Sequence, residues 1–383
     1  MKAPSQHPHR PVPETQPPAN RIVSVIVPCR NEIGHVDRFL ESVLAQRLPG
    51  NVRIEVLIAD GASDDGTRER LRRYAGEYAF IRILDNPKRF VAAGLNAAIR
   101  QALGDVIVRM DVHTLYAPDY IFECLRALDA TGADNVGGPW VPAGSGYVSE
   151  AIALAFSSVV VSGGGKAHRA FYEGPVDTVY LGCWPRQTFE KYGLFDEDLV
   201  RTQDSELNLR IHRGGGTIWQ TPAIRCWYTP RPSLKQLARQ YAQYGYWKAR
   251  VLKKHTRPAS ARQLAPGALL GGLFLFALLA PFVEWAKYAL EALALSYAMA
   301  VVAGSLVLCG GSGSWCFLPL MPAVVVVYHC GFGYGFLRGF VDSLLWPQQT
   351  SGTFSSLTRS SPPLASIPVK VRGQAAGDGG SSV

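Results

Sequence analysis

The chain of 383 residues has seven cysteines, but it lacks a C-x-x-C pair and any closely spaced set of cysteines. This scatter excludes a disulfide-stapled secreted domain and predicts reduced thiols in a protein that faces the cytosol. Large apolar side chains are almost missing from the proline-rich residues 1–20, and nothing there resembles the apolar core of a secretory signal. We expect residues 1–20 to form a disordered leader and the Ser-, Gly- and Pro-rich residues 346–383 to form a disordered tail.

Acidic residues are missing from one long stretch of the chain. Residues 207–283 carry 12 Lys and Arg and no Asp or Glu, whereas residues 1–206 carry 22 basic and 26 acidic residues. Almost all of the formal net charge of +9 therefore comes from the middle of the sequence. A protein that binds nucleic acid is expected to spread basic residues over its folded domain, so this distribution argues against a nucleic-acid partner.

Charge of either sign is absent from the twenty residues 264–283, a length that can cross the roughly 30 Å hydrocarbon core of a bilayer. Two further apolar segments cover 288–309, with Glu291 near its start, and 315–337. Buried core helices are the alternative, but such helices seldom contain more than about 18 uncharged residues. We predict a membrane region over 263–345 with two or three spans. If only two segments span the membrane, the third is re-entrant or interfacial.

Basic residues stand immediately before the first apolar run, and the positive-inside rule places such residues in the cytoplasm. We expect residues 233–262 to form a basic amphipathic helix at the membrane interface, with lipids as partners. The preceding domain is then cytoplasmic, and the protein is expected in the inner (plasma) membrane. The basic residues closest to the run are Lys248, Arg250, Lys253, Lys254, Arg257 and Arg262.

Residues 21–232 alternate short apolar strands with amphipathic helices, which predicts an α/β domain with a largely parallel sheet. In such sheets ligands bind beyond the carboxyl ends of the strands, and the polar clusters of this sequence follow those ends. The predicted strands cover 22–27, 53–59, 81–84 and 105–110, and the predicted helices cover 35–46, 67–75 and 91–102.

Two clusters follow the first two strands. Residues 28–32 read P-C-R-N-E, and residues 60–67 contain Asp60 and two glycines before a helix. Asp60 has the acceptor oxygens that a nucleoside base needs, and glycine lets the backbone approach a ligand closely. The second cluster is equally explained as an ordinary turn with a helix cap.

Two later clusters contain acids. Asp111 and His113 follow the fourth strand and together suit Mg²⁺ or Mn²⁺, although an Asp at a strand end beside an unrelated His is the simpler explanation. Asp204 and Glu206 open a predicted helix, where an acid either serves as a general base or compensates the helix dipole.

A fifth cluster lies in the predicted basic helix. Tyr244, Tyr246 and Trp247 fit an interfacial aromatic belt, and they equally fit a surface on which a sugar ring stacks.

The order of these clusters resembles that of the inverting family-2 glycosyltransferases of the GT-A fold, over about residues 21–255. The matching motifs are V-I-V-P-C-R-N-E at 25–32, A-D-G-A-S-D-D-G-T at 59–67, G-L-N-A-A-I at 94–99, G-D-V-I-V-R-M-D-V-H at 104–113, Q-D-S-E at 203–206 and Q-x-x-Y-W at 243–247. The stretches R-M-D-V-H-T-L-Y-A-P-D-Y-I, Y-L-G-C-W and Y-G-Y-W-K-A-R are similar to membrane-anchored enzymes of succinoglycan-type exopolysaccharide assembly.

The resemblance implies a Rossmann-like GT-A catalytic domain over 21–232, followed by transmembrane helices. It implies Asp204 as the catalytic base and Asp111 with His113 as ligands of Mg²⁺ or Mn²⁺. The implied donor-binding residues are Pro28, Arg30, Asn31, Glu32, Asp60, Lys88, Asn96 and Asp111, and the implied acceptor-binding residues are Glu206, Gln243, Tyr246 and Trp247.

The sequence departs from the family pattern at three positions. His113 replaces the second aspartate of D-x-D, Gln203 stands where glutamate is usual, and Tyr246 replaces the arginine of Q-x-x-R-W. Lys248 or Arg250 is expected to supply the missing charge to the diphosphate, and processive synthesis becomes less favoured.

The implied reaction transfers a sugar from a UDP-sugar, expected to be UDP-glucose, with inversion. The implied acceptor is a saccharide on a lipid diphosphate, in the synthesis of an exopolysaccharide or a cell-surface glycan. One alternative is a processive polysaccharide synthase, which needs more spans to form a channel. Another is an inactive membrane scaffold with the same fold, against which the retention of Asp60, Asp111 and Asp204 argues.

Overall fold

A computed structural model describes residues 20–156, 158–256, 261–346 and residue 354. The predicted disordered leader and nearly all of the predicted tail lie outside these residues. All seven cysteines lie inside them and are free thiols.

Strands and helices alternate in the first part of the chain, which confirms the predicted α/β domain. Each of the first seven elements lies within two residues of its predicted ends. They are β1 (Arg21–Cys29), α1 (Val36–Leu44), β2 (Val52–Asp60), α2 (Thr67–Glu77), β3 (Ile81–Asp85), α3 (Val91–Gln101) and β4 (Val106–Arg109).

The rest of this domain contains shorter elements. They are β5 (Thr114–Tyr116), α4 (Tyr120–Thr131), β6 (Asn135–Gly138), β7 (Val141–Pro142), α5 (Tyr147–Phe156), α6 (Val159–Ser162), β8 (Gly174–Pro175), β9 (Tyr180–Pro185), α7 (Arg186–Tyr192), α8 (Gln203–Arg213), β10 (Ile218–Gln220) and β11 (Cys226–Tyr228).

The main sheet has the strand order β3-β2-β1-β4-β9-β6-β10-β8, and a small sheet has the order β5-β11-β7. In the main sheet β1 is parallel to β2 and β4, whereas β9 is antiparallel to both of its neighbours. Because Cys29 pairs with Asp60 and Ile26 with Arg109, the chain leaves β1, β2 and β4 at the same edge. The polar clusters that follow these strands therefore meet there.

The core of the sheet domain explains why β1 is a continuous β-branched run. Val25 and Val27 pack with Leu40 of α1 on one face, while Ile26 packs with Leu95 of α3 on the other. Successive side chains of a strand point to opposite faces, and a parallel sheet with helices on both sides buries both.

The second part of the chain is helical. Its helices are α9 (Leu234–His255), α10 (Ala265–Leu279), α11 (Glu284–Gly311) and α12 (Met321–Leu345). Among the residues that the structure describes, three helical segments are long and apolar enough to cross a membrane, namely Ala261–Leu279, Glu284–Gly311 and Met321–Leu345.

The helices α9 and α12 lie against each other along most of their lengths. Glycines make this approach close: a Cβ on Gly335 would overlap the carbonyl oxygen of Ala242, and a Cβ on Gly245 would overlap that of Phe332. A residue without a Cβ is needed at such a crossing of two backbones.

The predicted basic amphipathic interface helix over 233–262 corresponds largely to α9, and α9 is packed within the protein. Its side chains Leu237, Tyr246 and Trp247 are buried, because α9 is enclosed between the sheet domain and α12. Its exposed side chains include Lys235 and Lys253, one near each end.

Candidate functional site

A cavity of about 340 Å³ opens at the carboxyl ends of β1 and β4. Six parts of the chain line it: the turn after β1, the segment before α3, the end of β4, Trp140 between β6 and β7, Tyr180 at the start of β9, and the region from just before α8 to α9. The described lining residues are Pro28, Cys29, Arg30, Asn31, Glu32, Asn86, Arg89, Phe90, Val91, Arg109, Asp111, His113, Trp140, Tyr180, Arg201, Thr202, Gln203, Asp204, Tyr228, Arg231, Gln240 and Tyr244.

Three lining residues have left-handed backbone, namely Asn31 (φ 52°), Arg89 (φ 63°) and Thr202 (φ 62°). This conformation is uncommon for residues other than glycine, and least favourable for a β-branched residue such as Thr202. Strained backbone of this kind concentrates at functional sites, where the surrounding structure holds it in place.

The turn after β1 rests on the turn after β2. The Asn31 backbone N–H donates to Ser63 Oγ at 3.0 Å, and its side-chain amide donates to Asp64 Oδ1 at 2.8 Å. These contacts hold Pro28, Arg30, Asn31 and Glu32, all predicted to bind a donor, in the cavity wall.

Three other predicted donor-binding residues are not among the described residues that line the cavity. Asp60 is buried and accepts hydrogen bonds from Ser63 Oγ at 2.5 Å and from Arg68 Nη1 at 3.0 Å. Lys88 and Asn96 both donate to the carboxylate of Glu197, at 2.7 and 2.9 Å. Each side chain thus has partners within the protein.

Arg109 and Asp111 form a two-pronged ion pair at the end of β4. Arg109 Nε donates to Oδ1 at 2.8 Å and Nη2 donates to Oδ2 at 3.0 Å, and the side chains are only 8% and 12% exposed. Burial alone lowers the pKa of the Arg109 guanidinium, but the Asp111 carboxylate raises it above its ordinary value. Both groups are therefore charged and neutralise each other.

His113 lies beside Glu32, with Nδ1 3.6 Å from Oε1, and both line the cavity with Asp111. The described part of the chain contains no group of three or more His, Cys, Asp and Glu side chains that could hold a metal ion. A carboxylate and an imidazole still fit Mg²⁺ or Mn²⁺, which are commonly bound by one or two protein ligands together with substrate phosphates.

Asp204 lies in the first turn of α8 and lines the cavity half-buried. Its Oδ1 accepts a hydrogen bond from the Ser205 backbone N–H at 2.7 Å. The ammonium of Lys248 and the guanidinium of Arg109 both interact electrostatically with this carboxylate. Asp204 thus presents its carboxyl group to the cavity, as a general base requires.

Glu206, predicted to bind an acceptor, instead lies fully buried in a cluster of cations. Its carboxylate accepts from Arg210 Nη2 at 2.9 Å and Lys254 Nζ at 3.0 Å, and His255 Nε2 lies 2.8 Å away. Burial alone raises the pKa of Glu206, but these partners outweigh it and lower the pKa. The cluster joins the beginning of α8 to the end of α9.

Glu206→Gln is expected to lower the free energy of unfolding at pH 7 by about 2 kcal/mol, because charged hydrogen bonds are lost. A lowered folded-state pKa gives stability that is present above the unfolded value near 4.5 and lost as the pH falls through the folded value. The wild type should therefore lose its advantage over Glu206→Gln below about pH 4.5, in urea unfolding of detergent-solubilised protein. Glu190→Gln changes an exposed carboxyl of α7 and is the control; equal stability of Glu206→Gln and wild type at pH 7 would disprove the cluster's role.

The side of α9 that faces the cavity differs from the prediction. Gln240 and Tyr244, four residues apart on one helical face, line the cavity. Gln243 is buried and accepts from Arg201 Nε at 3.3 Å.

Neither Tyr246 nor Trp247 is among the described residues that line the cavity: Tyr246 faces α12, whereas Trp247 lies one turn beyond Tyr244 on the same side of α9. The Tyr246 ring stacks on the Phe354 ring with centroids 4.4 Å apart, and the Tyr246 hydroxyl donates to Asp342 Oδ2 of α12 at 3.2 Å. Trp247 Nε1 donates to the carbonyl oxygen of Phe354 at 3.0 Å. Both side chains, predicted to bind an acceptor, make packing contacts here.

Several lining residues were not found from the sequence. Arg201 and Arg231 come from connecting segments without periodicity, whereas Tyr180 lies in the Y-L-G-C-W motif, in which the sequence alone distinguishes no single residue. Thr202 Oγ1 and Trp140 Nε1 are buried polar atoms without a hydrogen-bond partner in the described structure. Unsatisfied polar atoms in a cavity wall are natural contacts for a bound ligand.

The charges of the cavity favour an anionic ligand. Five arginines and three carboxylates stand among its described lining residues, and Arg109 and Asp111 cancel each other. Four arginines then remain against two carboxylates. The additional arginines are Arg30, Arg89, Arg201 and Arg231, and the additional carboxylates are Glu32 and Asp204.

Residues 24–184 match the sequence profile described as glycosyl transferase family 2. The succinoglycan biosynthesis protein ExoA of Rhizobium meliloti (strain 1021) is 32% identical over 338 residues, which cover 83% of this chain and 94% of that protein. A dolichyl N-acetyl-alpha-D-glucosaminyl phosphate 3-beta-D-2,3-diacetamido-2,3-dideoxy-beta-D-glucuronosyltransferase of Methanococcus voltae is 27% identical over 330 residues, which cover 83% of this chain and 97% of that protein.

The fold is similar to that of a solved structure, the mannosyltransferase PcManGT from Pyrobaculum calidifontis in complex with GDP-Man and Mn²⁺. The TM-score is 0.51 at 21% sequence identity, covering 85% of this chain and 88% of that chain. This similarity concerns the arrangement of the strands and helices.

Proposed function

Because the chain belongs to glycosyl transferase family 2 and has the GT-A fold, we propose that it transfers a sugar from a UDP-sugar to a lipid-linked saccharide with inversion. It is a glycosyltransferase of exopolysaccharide or glycan synthesis. The observation that supports the specific reaction best is the meeting of Asp111, Asp204 and an excess of arginines in one cavity at the strand ends.

The donor binds with its nucleoside against the turn after β1 and its diphosphate toward Asp111. The excess positive charge of the cavity matches a diphosphate, for which the planar guanidinium group is a strong partner. Asp111 and His113 would hold Mg²⁺ or Mn²⁺, which supplies positive charge to the departing diphosphate.

The transfer is a single displacement at the anomeric carbon. Asp204 takes the proton of the acceptor hydroxyl as its oxygen forms the new bond to this carbon. The bond to the diphosphate oxygen breaks on the opposite side, so the configuration inverts and UDP leaves. Arg201 and Arg231 take the place of the arginine that Q-x-x-R-W lacks here, and they stabilise the leaving diphosphate.

The acceptor enters on the side of α9. Tyr228, Gln240 and Tyr244 form this wall, with Gln240 Nε2 donating to the two tyrosine hydroxyls at 3.1 and 3.0 Å. Three candidate spans follow α9, which keeps this wall close to a membrane. The Methanococcus voltae relative is named for a dolichyl-linked acceptor, which supports a lipid carrier. Basic residues before the first span support a cytoplasmic catalytic domain at the inner membrane.

A panel of nucleotide sugars tests the reaction. Full-length protein in detergent is incubated with UDP-glucose, UDP-galactose, UDP-N-acetylglucosamine or GDP-mannose. Each incubation is done with and without lipid-linked saccharides, which are extracted from the membranes that the protein was purified from. We expect UDP release from at least one UDP-sugar, increased by the lipid extract and absent in Asp204→Asn. Nucleotide release from GDP-mannose and from none of the UDP-sugars would contradict the UDP assignment. UDP release that the lipid extract does not change would contradict the lipid-linked acceptor.

A further inference from the structure

The helix α12 has the composition of a membrane span, yet it contacts the catalytic domain near its N-terminal end. Tyr328 donates its hydroxyl to the carbonyl oxygen of Ile152 in α5 at 3.2 Å. His329 Nε2 lies 3.0 Å from the carbonyl oxygen of Val160 in α6. Both α5 and α6 belong to the connection between β7 and β8 of the catalytic domain.

The remainder of α12 contacts mainly α9, and it also meets the start of α10, where Gly333 approaches the backbone of Pro266. Gly331 and Gly339 approach the backbones of Ala238 and Tyr246, on either side of the close contact at Gly335. Near its end, Asp342 accepts a hydrogen bond from Tyr246, and the carbonyl oxygen of Ser343 accepts one from Lys253. The contacts from Tyr328 to Ser343 extend over roughly 22 Å of helix, at 1.5 Å per residue.

These contacts place α12 alongside a helix that itself packs against the catalytic domain. The face of α9 opposite α12 supplies Gln240 and Tyr244 to the active-site cavity, and Val251 packs against Leu209 of α8. A helix that crosses a bilayer touches a cytoplasmic domain at one end only. Contact with the domain over roughly 22 Å of helix therefore favours an orientation parallel to the membrane surface.

The outer face of α12 is apolar and aromatic. Tyr334 is 59% exposed, and further large apolar side chains near the C-terminal end are also exposed: Phe340, Val341, Leu344, Leu345 and Trp346. Arg338 on the same helix is half-exposed. Apolar side chains with aromatic and basic residues suit the boundary between lipid headgroups and acyl chains.

The other two apolar helices form a hairpin that leaves the domain and returns. Phe276 near the end of α10 packs on Trp285 near the start of α11, with ring centroids 6.1 Å apart. The C-terminal half of α11 comes back to the domain, since a Cβ on Gly304 would meet Val160 of α6. The hairpin therefore brings the chain back to the side from which it started.

We propose that only α10 and α11 cross the membrane, and that α12 lies in the plane of the cytoplasmic leaflet with its outer apolar face in the lipid. The catalytic domain and the C-terminal tail are then on the same side. This arrangement also places the basic tail residues Arg359, Lys370 and Arg372 in the cytoplasm, in accord with the positive-inside rule. The proposal is independent of the reaction that the enzyme catalyses.

Depth measurement at the middle of α12 tests this proposal. Tyr334→Cys, in full-length protein with Cys316→Ser and Cys330→Ser, is labelled with an environment-sensitive fluorophore and placed in nanodiscs of phosphatidylethanolamine and phosphatidylglycerol. Quenching is compared between lipids with a nitroxide near the headgroup and lipids with one deep in the acyl chain. Leu275→Cys, 50% exposed on α10, is the matched control for a spanning helix.

The ratio of shallow to deep quenching should exceed one at Tyr334→Cys and fall below one at Leu275→Cys. A ratio below one at both positions would show that α12 spans and would overturn the proposal. If aqueous iodide quenches the fluorophore at Tyr334→Cys and neither lipid nitroxide does, the proposal would also be overturned, because the outer face of α12 would then be in water. If Tyr334→Cys does not fold, Val341→Cys on the same face replaces it.

The side of the C-terminus gives a second, independent test. An epitope added after Val383 should resist protease in intact spheroplasts and be digested once they are permeabilised. Digestion in intact spheroplasts would place the tail outside and contradict two spans.

Discussion

Asp204→Asn should lower the rate of sugar transfer on the order of 10²-fold or more, with nucleotide-sugar binding close to that of the wild type. Asparagine has nearly the same shape as aspartate, so the first turn of α8 keeps its structure. It cannot accept the proton of the acceptor hydroxyl, and this step is required only for transfer. Single-turnover rates and equilibrium binding of the donor, measured on the same preparation, separate the two effects.

Asp198→Asn is the matched control for this variant, because it makes the same chemical change at an exposed carboxyl six residues earlier. It should leave transfer unchanged. Near-normal turnover of Asp204→Asn, with normal thermal unfolding, would exclude Asp204 as the base.

Asp111→Asn should abolish donor binding and also lower the free energy of unfolding by about 3 kcal/mol. The loss of stability arises because Arg109, with an 8% exposed side chain, remains buried without its carboxylate partner. Donor affinity measured by titration and stability measured by urea unfolding are both expected to fall. A single variant therefore cannot separate the two roles of Asp111.

The double variant Arg109→Gln/Asp111→Asn separates them. Removal of both charges eliminates the unpaired guanidinium, so most of the stability should return, while donor binding and any dependence on Mg²⁺ or Mn²⁺ should not. Donor binding by the double variant at the wild-type affinity would show that Asp111 serves only to neutralise Arg109.

The sequence predicts the parallel sheet and the edge at which the cavity opens, because both depend on local patterns. The β-branched run of β1 and the amphipathic α1 carry strong periodic signals, and parallel topology brings Asp111 to the same edge as the turn after β1. The side chains of α9 were harder to assign. The helix α9 has aromatic residues on more than one of its sides. Which side faces the cavity depends on the glycine contact with α12, almost ninety residues later in the chain.

At Glu206 and Trp247 the motifs predict contact with the acceptor, whereas the structure buries both side chains. A motif ranks residues by type and spacing, whereas burial decides which of them a ligand can reach. At Glu206 a local signal was present, because Arg210 stands four residues later and an i, i+4 ion pair is common in helices. Arg201 and Arg231 had no such signal, since only the folded connections bring them to the cavity.

The contacts of Glu206 have a consequence for the timing of synthesis. Lys254 and His255, which hold this carboxylate, are made 48 and 49 residues after it and directly precede the membrane segments. Domains generally fold as units while the ribosome is still adding residues. The contacts that hold α8, the helix of the proposed base Asp204, to the end of α9 can form only after the end of α9 has left the ribosome, when the apolar segments are being translated. The start of α8 thus acquires its last stabilising contacts only while the apolar segments of the chain are being made.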